Sequence, residues 1–335
     1  MPWTAHTLLA HYLPAGPSRR RSVSYSVVGF RLHPALVVVL AVALCGGLVV
    51  GVGWLRTRRL STTEALMAHL PPEEAVILAV DLASLRQSGI LSALTASKIT
   101  EEPEYRAFVQ ETGFDYQQDI DLILAWFRQE TTCVLLRGRF DWARLRAYVA
   151  AQGGACHNTF CNLEGSTPQR KISFFPLNKD VMALAVGPAD GAAWALKSAR
   201  PERPGRSVPD HPAWLLVPVS ALRDAENLPA GTRLFAKAVA SADKVQLSLA
   251  APGGRLEVLL EAACRSAEDA STLSSQLESA TRLLKETIAR EKQTPNPGDL
   301  SGVLAAGSFR SEGQRVLGRW PVERAFLESI LGVAQ

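Results

Sequence analysis

The sequence predicts an α+β protein: one N-terminal transmembrane helix, then mixed strand hairpins packed with helices, in two halves that read alike. Three observations predict it. An uncharged apolar run extends from Ala35 to Leu55. Short segments with alternating apolar residues recur in pairs around Gly, Pro and Asn turns. Between and after them, apolar residues recur at three- and four-residue spacing, which is the helical period.

The boundaries follow. Residues 1–33 carry Arg19, Arg20, Arg21 and Arg31 with no sustained period, and read as a disordered basic tail on the cytoplasmic side. Residues 34–55 are the span: at about 1.5 Å per residue the run reaches about 31 Å, matching a hydrocarbon core of about 30 Å. Trp54 suits the headgroup region, and Arg56, Arg58 and Arg59 follow it. A cleaved signal has a shorter apolar run nearer the N-terminus, and a buried globular helix carries a polar face; these are the rival readings. Four arginines precede the span and three follow closely, so charge alone barely orients it. Ala43, Gly47 and Gly51 repeat every fourth residue, a candidate face for packing two spans into a homodimer, although Gly is common in spans in any case.

The first half covers 56–200. Thr62 or Ser61 caps a short helix that Pro71 and Pro72 stop. Ala75–Val80 reads as a buried strand. Residues 101–113 read as a helix ended by Gly113, and 114–129 as a second helix capped by Asp115. "TTCVLLRG" is a strand, Asp141 caps the next helix, and "KISFFPL" and "DVMALAVG" form a hairpin at Asn178-Lys179. A short helix contains Trp194. Residues 201–212 are a Pro-rich connection.

The second half covers 213–335. A strand opens it, and Val245, Leu247 and Leu249 pair with Leu256, Val258 and Leu260 around Pro252-Gly253-Gly254. Residues 267–292 are the longest soluble helix, with Ala270, Leu273, Leu277, Ala280, Leu284 and Ile288 on one side. "GVLAAGSFRSEGQRVLGRW" reads as a hairpin turning near Gly313, and a closing helix starts at Pro321. Ala75 onward aligns with His211 onward, and Gly138 onward with Gly318 onward. That is either a duplication or the common look of buried strands followed by amphipathic helices.

"TGFDYQQDIDLILAWF", then a strand, then "GRFDWARLRAYV" resembles a group of uncharacterised bacterial single-span membrane proteins with a large extracytoplasmic α+β region. The resemblance implies topology. It supplies no catalytic residues.

The chain has five cysteines. Cys45 lies in the span, and Cys133 and Cys264 sit in apolar runs as small hydrophobes. Cys156 and Cys161 sit in a polar, Gly-flanked loop, "GGACHNTFCNLEG". A disulfide, free thiols, or a zinc site with His157 all suit that spacing, although a structural zinc usually takes four ligands. A disulfide places the C-terminal region outside the cytoplasm.

No hydrolase elbow, P-loop, dinucleotide fingerprint or zincin motif is present, so no catalytic, cofactor or metal residue is nominated. Net charge is +4, much of it beside the span, which suits anionic lipid heads rather than nucleic acid. Asp115, Asp119 and Asp121 read as helix-capping carboxylates, and Phe174, Phe175, Trp194 and Trp214 as core. The expected function is a bacterial inner-membrane protein with an extracytoplasmic binding or scaffold domain. Its expected partners are the lipid bilayer and another envelope protein. A membrane-anchored enzyme with a non-sequential site and a cytoplasm-facing regulatory module are the alternatives.

Overall fold

The computed structural model describes residues 62–330 apart from 72–73, 89, 92–102, 129, 166, 168–169, 199–207, 224–229, 253–254 and 292–293. These belong to the second of two units, Trp54–Gln335. Among the described residues no helix is long and apolar enough to cross a membrane. The predicted span, with Ala43, Gly47 and Gly51, lies outside them.

Alternating apolar residues become strands of one antiparallel sheet. They are β1 (Val76–Asp81), β2 (Ile120–Arg128), β3 (Thr131–Gly138), β4 (Ala155–His157), β5 (Phe160–Glu164), β6 (Lys171–Asn178), β7 (Val181–Gly187), β8 (Ala213–Val217), β9 (Lys244–Ala250), β10 (Leu256–Ala263), β11 (Ser308–Glu312) and β12 (Arg315–Val322). Their order is β11-β12-β10-β9-β8-β1-β2-β3-β7-β6-β5-β4. The two halves therefore share one continuous sheet, joined where β1 pairs with β8. Outward from that seam the order is β1-β2-β3-β7-β6 on one side and β8-β9-β10-β12-β11 on the other, the same sequence of moves twice. The β4–β5 hairpin extends the first side only.

Helices intervene: α1 (Thr63–Met67), α2 (Leu82–Gln87), α3 (Pro103–Thr112), α4 (Tyr116–Asp119), α5 (Trp142–Ala151), α6 (Val219–Arg223), α7 (Ala230–Val239), α8 (Ala267–Arg290), α9 (Leu300–Ala305) and α10 (Arg324–Ile330). One row of side chains crosses the sheet from Cys156 through Cys161, Phe174, Leu184, Val134, Ala125, Leu78, Leu215, Leu247 and Leu260. On that face α5 covers the first half through Leu145 and Val149, and α7, α8 and α9 cover the second. The opposite face of the first half is sealed by Leu66, Met67 and Leu70, and by Ala193 and Leu196 of a 3₁₀ turn, Ala192–Leu196, over Ile77, Leu124 and Leu135.

Local chemistry sets the ends. The Asp141 carboxylate accepts from the Ala143 and Arg144 amides and so caps the N-terminus of α5. Asp141→Ala is expected to cost about 1 kcal/mol, read from thermal unfolding. Gly113 ends α3 with φ +68°, a conformation that a Cβ disfavours. Asp115 caps α4 through the Gln117 amide and accepts from the Tyr105 hydroxyl at 2.9 Å. Burial first, then the Asp115 hydrogen bond and charge, push that hydroxyl well above the ordinary tyrosine range. Asp119 accepts from Arg139, and Asp121 from Arg86 at 2.7 Å, so these three carboxylates brace the entry to β2.

The structure corrects several expectations. The helix read over 114–129 is one turn followed by β2, because Ile120, Leu122, Leu124 and Trp126 bury on alternate positions between two neighbouring strands. The segment Leu300–Ala305 is helical, since Asp299 caps it, and only Ser308 onward pairs as the hairpin. Pro321 lies in β12, and the closing helix begins at Arg324. Helix α7 had no counterpart in the sequence reading. Gly138 and Gly318 both precede a strand-to-helix passage, but they do not occupy matching places: Gly138 ends β3, which the strand order matches with β10, whereas Gly318 lies in β12. The alignment of Ala75 with His211 places β1 on β8, as the strand order does.

Candidate functional site: a disulfide-braced aromatic edge

The β4–β5 hairpin forms one edge of the sheet. Asn158, at φ 57°, turns the chain between its strands; asparagine adopts this left-handed conformation more readily than most residues. Cys156 and Cys161 face each other across the hairpin with Cα atoms 4.1 Å apart and are joined by a disulfide. Both thiols are thus consumed. His157 is exposed beside them, and among the described residues no group of three or more His, Cys, Asp or Glu is placed to hold a metal ion. Cys133 and Cys264 are buried free thiols.

The pleat separates neighbours to opposite faces. Cys161 points into the cluster of Leu145, Val149 and Phe174. Phe160 therefore points to the other face, where it stacks parallel on Trp194, with ring centroids 4.6 Å apart and planes within 2°. Phe175 lies beneath both, 6.0 Å from Phe160 and 5.5 Å from Trp194. The stack grades from buried Phe175 to Trp194, which is 47% exposed. The Lys197 ammonium sits 4.5 Å from the Trp194 ring centre, within cation–π range.

The turn that carries the indole is tied down at several points. The Ala193 amide donates to the buried Ser173 hydroxyl at 3.0 Å. His69 Nδ1 donates to the Leu196 carbonyl at 2.9 Å, tying the loop after α1 to the 3₁₀ turn. Lys171 pairs with Asp190 at 2.8 Å, and that hydrogen bond and charge raise the lysine pKa. The result is a half-exposed aromatic plate on an anchored turn, with one ammonium beside it.

Phe174, Phe175 and Trp214 are buried, as the sequence suggested; Trp194 is not. Its neighbours are all apolar, which hid it. A finer signal exists: in a 3₁₀ turn residues three apart share a face, so Ala193 and Leu196 bury together and leave Trp194 off their side. Phe160 and Lys197 carried no signal of their own.

Further concave surfaces lie on the second half. Two clefts of about 450 and 850 Å³ share Ser308 and Arg319. Several charges at or beside them are paired: Arg319 with Glu257 at 3.6 Å, Arg315 with Glu261 at 3.2 Å, Arg310 with Glu312 at 2.8 Å. Such exposed pairs are worth little.

Replacing both Cys156 and Cys161 by Ser is expected to loosen this edge more than the whole domain. A loop this short gives about 2 kcal/mol from chain entropy. Trp194 should become more solvated, seen as a red-shifted emission difference between the double variant and the same variant carrying Trp194→Phe.

Fold and edge together define a disulfide-braced α+β domain presenting an aromatic plate. No family model matches the chain, and no curated protein matches it. Among solved structures, TP0453 in crystal form III is similar with a TM-score of 0.46 and 13% identity, over 79% of this chain and 97% of that one. Crystal form I of TP0453 gives 0.44 and 14% over the same shares.

Proposed function

We propose that the chain is a single-pass bacterial inner-membrane protein whose N-terminus is cytoplasmic and whose α+β domain, outside the cytoplasm, binds or scaffolds another envelope component. The Cys156–Cys161 disulfide carries the proposal, because structural disulfides persist in oxidising compartments. The uncharged run 35–55 supplies the tether. Trp194, stacked on Phe160 and half-exposed, is the kind of anchor that dominates protein-binding surfaces. The repeated strand order supports reading the domain as a duplicated unit.

Thiol counting tests the compartment. The full chain is denatured straight from cells in a maleimide-polymer reagent. Without reductant, Cys45, Cys133 and Cys264 are expected to react, and Cys156 and Cys161 only after reduction. Five reactive thiols without reductant would place the domain in the cytoplasm, as a tethered regulatory module. In the folded protein Cys264 should stay silent, since burial, with Asp269 and Asp243, pushes its thiol up.

A further inference from the structure

Helices α7 and α8 lie side by side on the second half, and a groove of about 640 Å³ runs between them. Their counterparts in the first half, α3 and α5, meet through aromatic rings: Phe108 lies 5.1 Å from Tyr148 and 6.2 Å from Phe114. In the second half the corresponding walls carry Ser271, Ser275, Ser279 and Ala238 instead, so the groove stays open. Two large apolar side chains stand out of it: Leu283, 51% exposed, and Leu234, 43% exposed. One surface thus offers both hollows and knobs.

Charge runs along the same helix. At about 100° per residue, Glu268, Thr272, Ser275, Ser279, Leu283, Glu286 and Arg290 fall on one face. Its N-terminal part, 267–279, holds Glu268, Asp269 and Glu278 with no base; its C-terminal part, 280–290, holds Arg282, Lys285 and Arg290 against Glu286 alone. The helix is acidic at one end and basic at the other, and an antiparallel copy of itself is its electrostatic complement.

We infer that the α7–α8 face pairs with the same face of a second copy of this chain, the two α8 helices antiparallel about a two-fold axis near Ser279. Counting residues equally either way from that axis, Leu283 enters the hollow at the partner copy's position 275. Glu268 likewise meets Arg290 of the other copy, so one carboxylate–guanidinium pair forms at each end of the seam. An isologous contact of this kind closes on itself and needs only one self-complementary patch. A helix of 24 residues is about 36 Å long, and with α7 beside it offers on the order of 700 Å² per copy, near the size of stable interfaces. This interface is separate from any pairing of spans through Ala43, Gly47 and Gly51.

The full chain in mild detergent, carrying Cys45→Ala so that no span thiol contributes, tests it. Ser279→Cys should give a covalent dimer with a short bis-maleimide, and Leu283→Glu on the same chain should remove it. Glu268→Lys should weaken dimerisation about tenfold, and adding Arg290→Glu should restore it to within about twofold, because each exchanged pair is again complementary. Glu268 and Arg290 are exposed, and the Ser266–Asp269 cap is untouched, so circular dichroism should be unchanged. Rescue by the reversed pair is something a folding defect does not produce. No cross-link at position 279, a cross-link indifferent to Leu283→Glu, or a chain whose groove is filled only by lipid vesicles or another protein would each overturn the inference.

Discussion

Leu124→Ala is expected to destabilise the domain by about 3–4 kcal/mol, within the range for a Leu truncation that leaves a cavity. Leu124 is wholly buried at the middle of β2, where it faces Ala79 of β1 and Leu135 of β3 across the ladders. The cluster around it includes Ile77, Leu135, Ala183 and Leu196, drawn from four elements. Alanine neighbours at 79 and 183 have no atoms to move into the void, so relaxation is limited. Thermal unfolding of the full chain in detergent should shift down by roughly 6–16 °C at about 2–4 °C per kcal/mol. The same substitution at Leu283 should cost under about 0.5 kcal/mol, because that side chain is exposed. Equal effects at the two positions would mean that β2 is not central.

Gly138→Ala is the second large effect. Gly138 ends β3, and a Cβ there would lie 2.2 Å from the Asp119 carbonyl oxygen and 3.1 Å from the Ile120 Cα. Both are backbone, so no side chain can swing away. The ladder has a register shift between Ile120 and Leu122 at this point. The Gly138 amide donates to the Asp180 carbonyl, and the Arg139 amide to the Asp119 carbonyl, which holds the crossing from a second side. An added methyl must push β2 and β3 apart at their shared end. The expected cost is about 2–3 kcal/mol, at the upper part of the overpacking range, seen in the same unfolding measurement. Gly313→Ala, with nothing within 4 Å but φ +57°, should cost about 1 kcal/mol from backbone strain alone.

The α+β class and most strands were readable because they rest on local chemistry. Val245–Leu249 against Leu256–Leu260, the Asp141 cap and the period of α8 each signal themselves within a few residues. The misread segment shows the limit. "DIDLILAWF" has apolar residues at both helical and alternating spacing, and Asp115 does cap a helical turn before it. What decides for strand is the pair of partners on either side, Val76–Asp81 and Thr131–Gly138, which no local window contains. Helix α7 was missed for a related reason: its ten residues include Gly231 and Thr232, weak helix formers, and its apolar face has meaning only against α8.

At the aromatic edge, the two cysteines were legible from spacing and loop composition. The plate was not. Phe160 is separated from Trp194 by thirty-odd positions, and their parallel contact depends on β5 lying beside β6 and on Ser173 holding the 3₁₀ turn. Nothing in "FCNLE" or "AAWAL" alone says that these rings meet.

The tethered, extracytoplasmic placement of the domain is tested most directly by adding protease to intact spheroplasts that carry the full chain with a tag at its C-terminus. The expected result is loss of the C-terminal tag without permeabilisation, while a membrane-embedded fragment containing 34–55 survives and resists alkaline carbonate. A domain protected until the membrane is broken, or full-length protein washed free by carbonate, would contradict it.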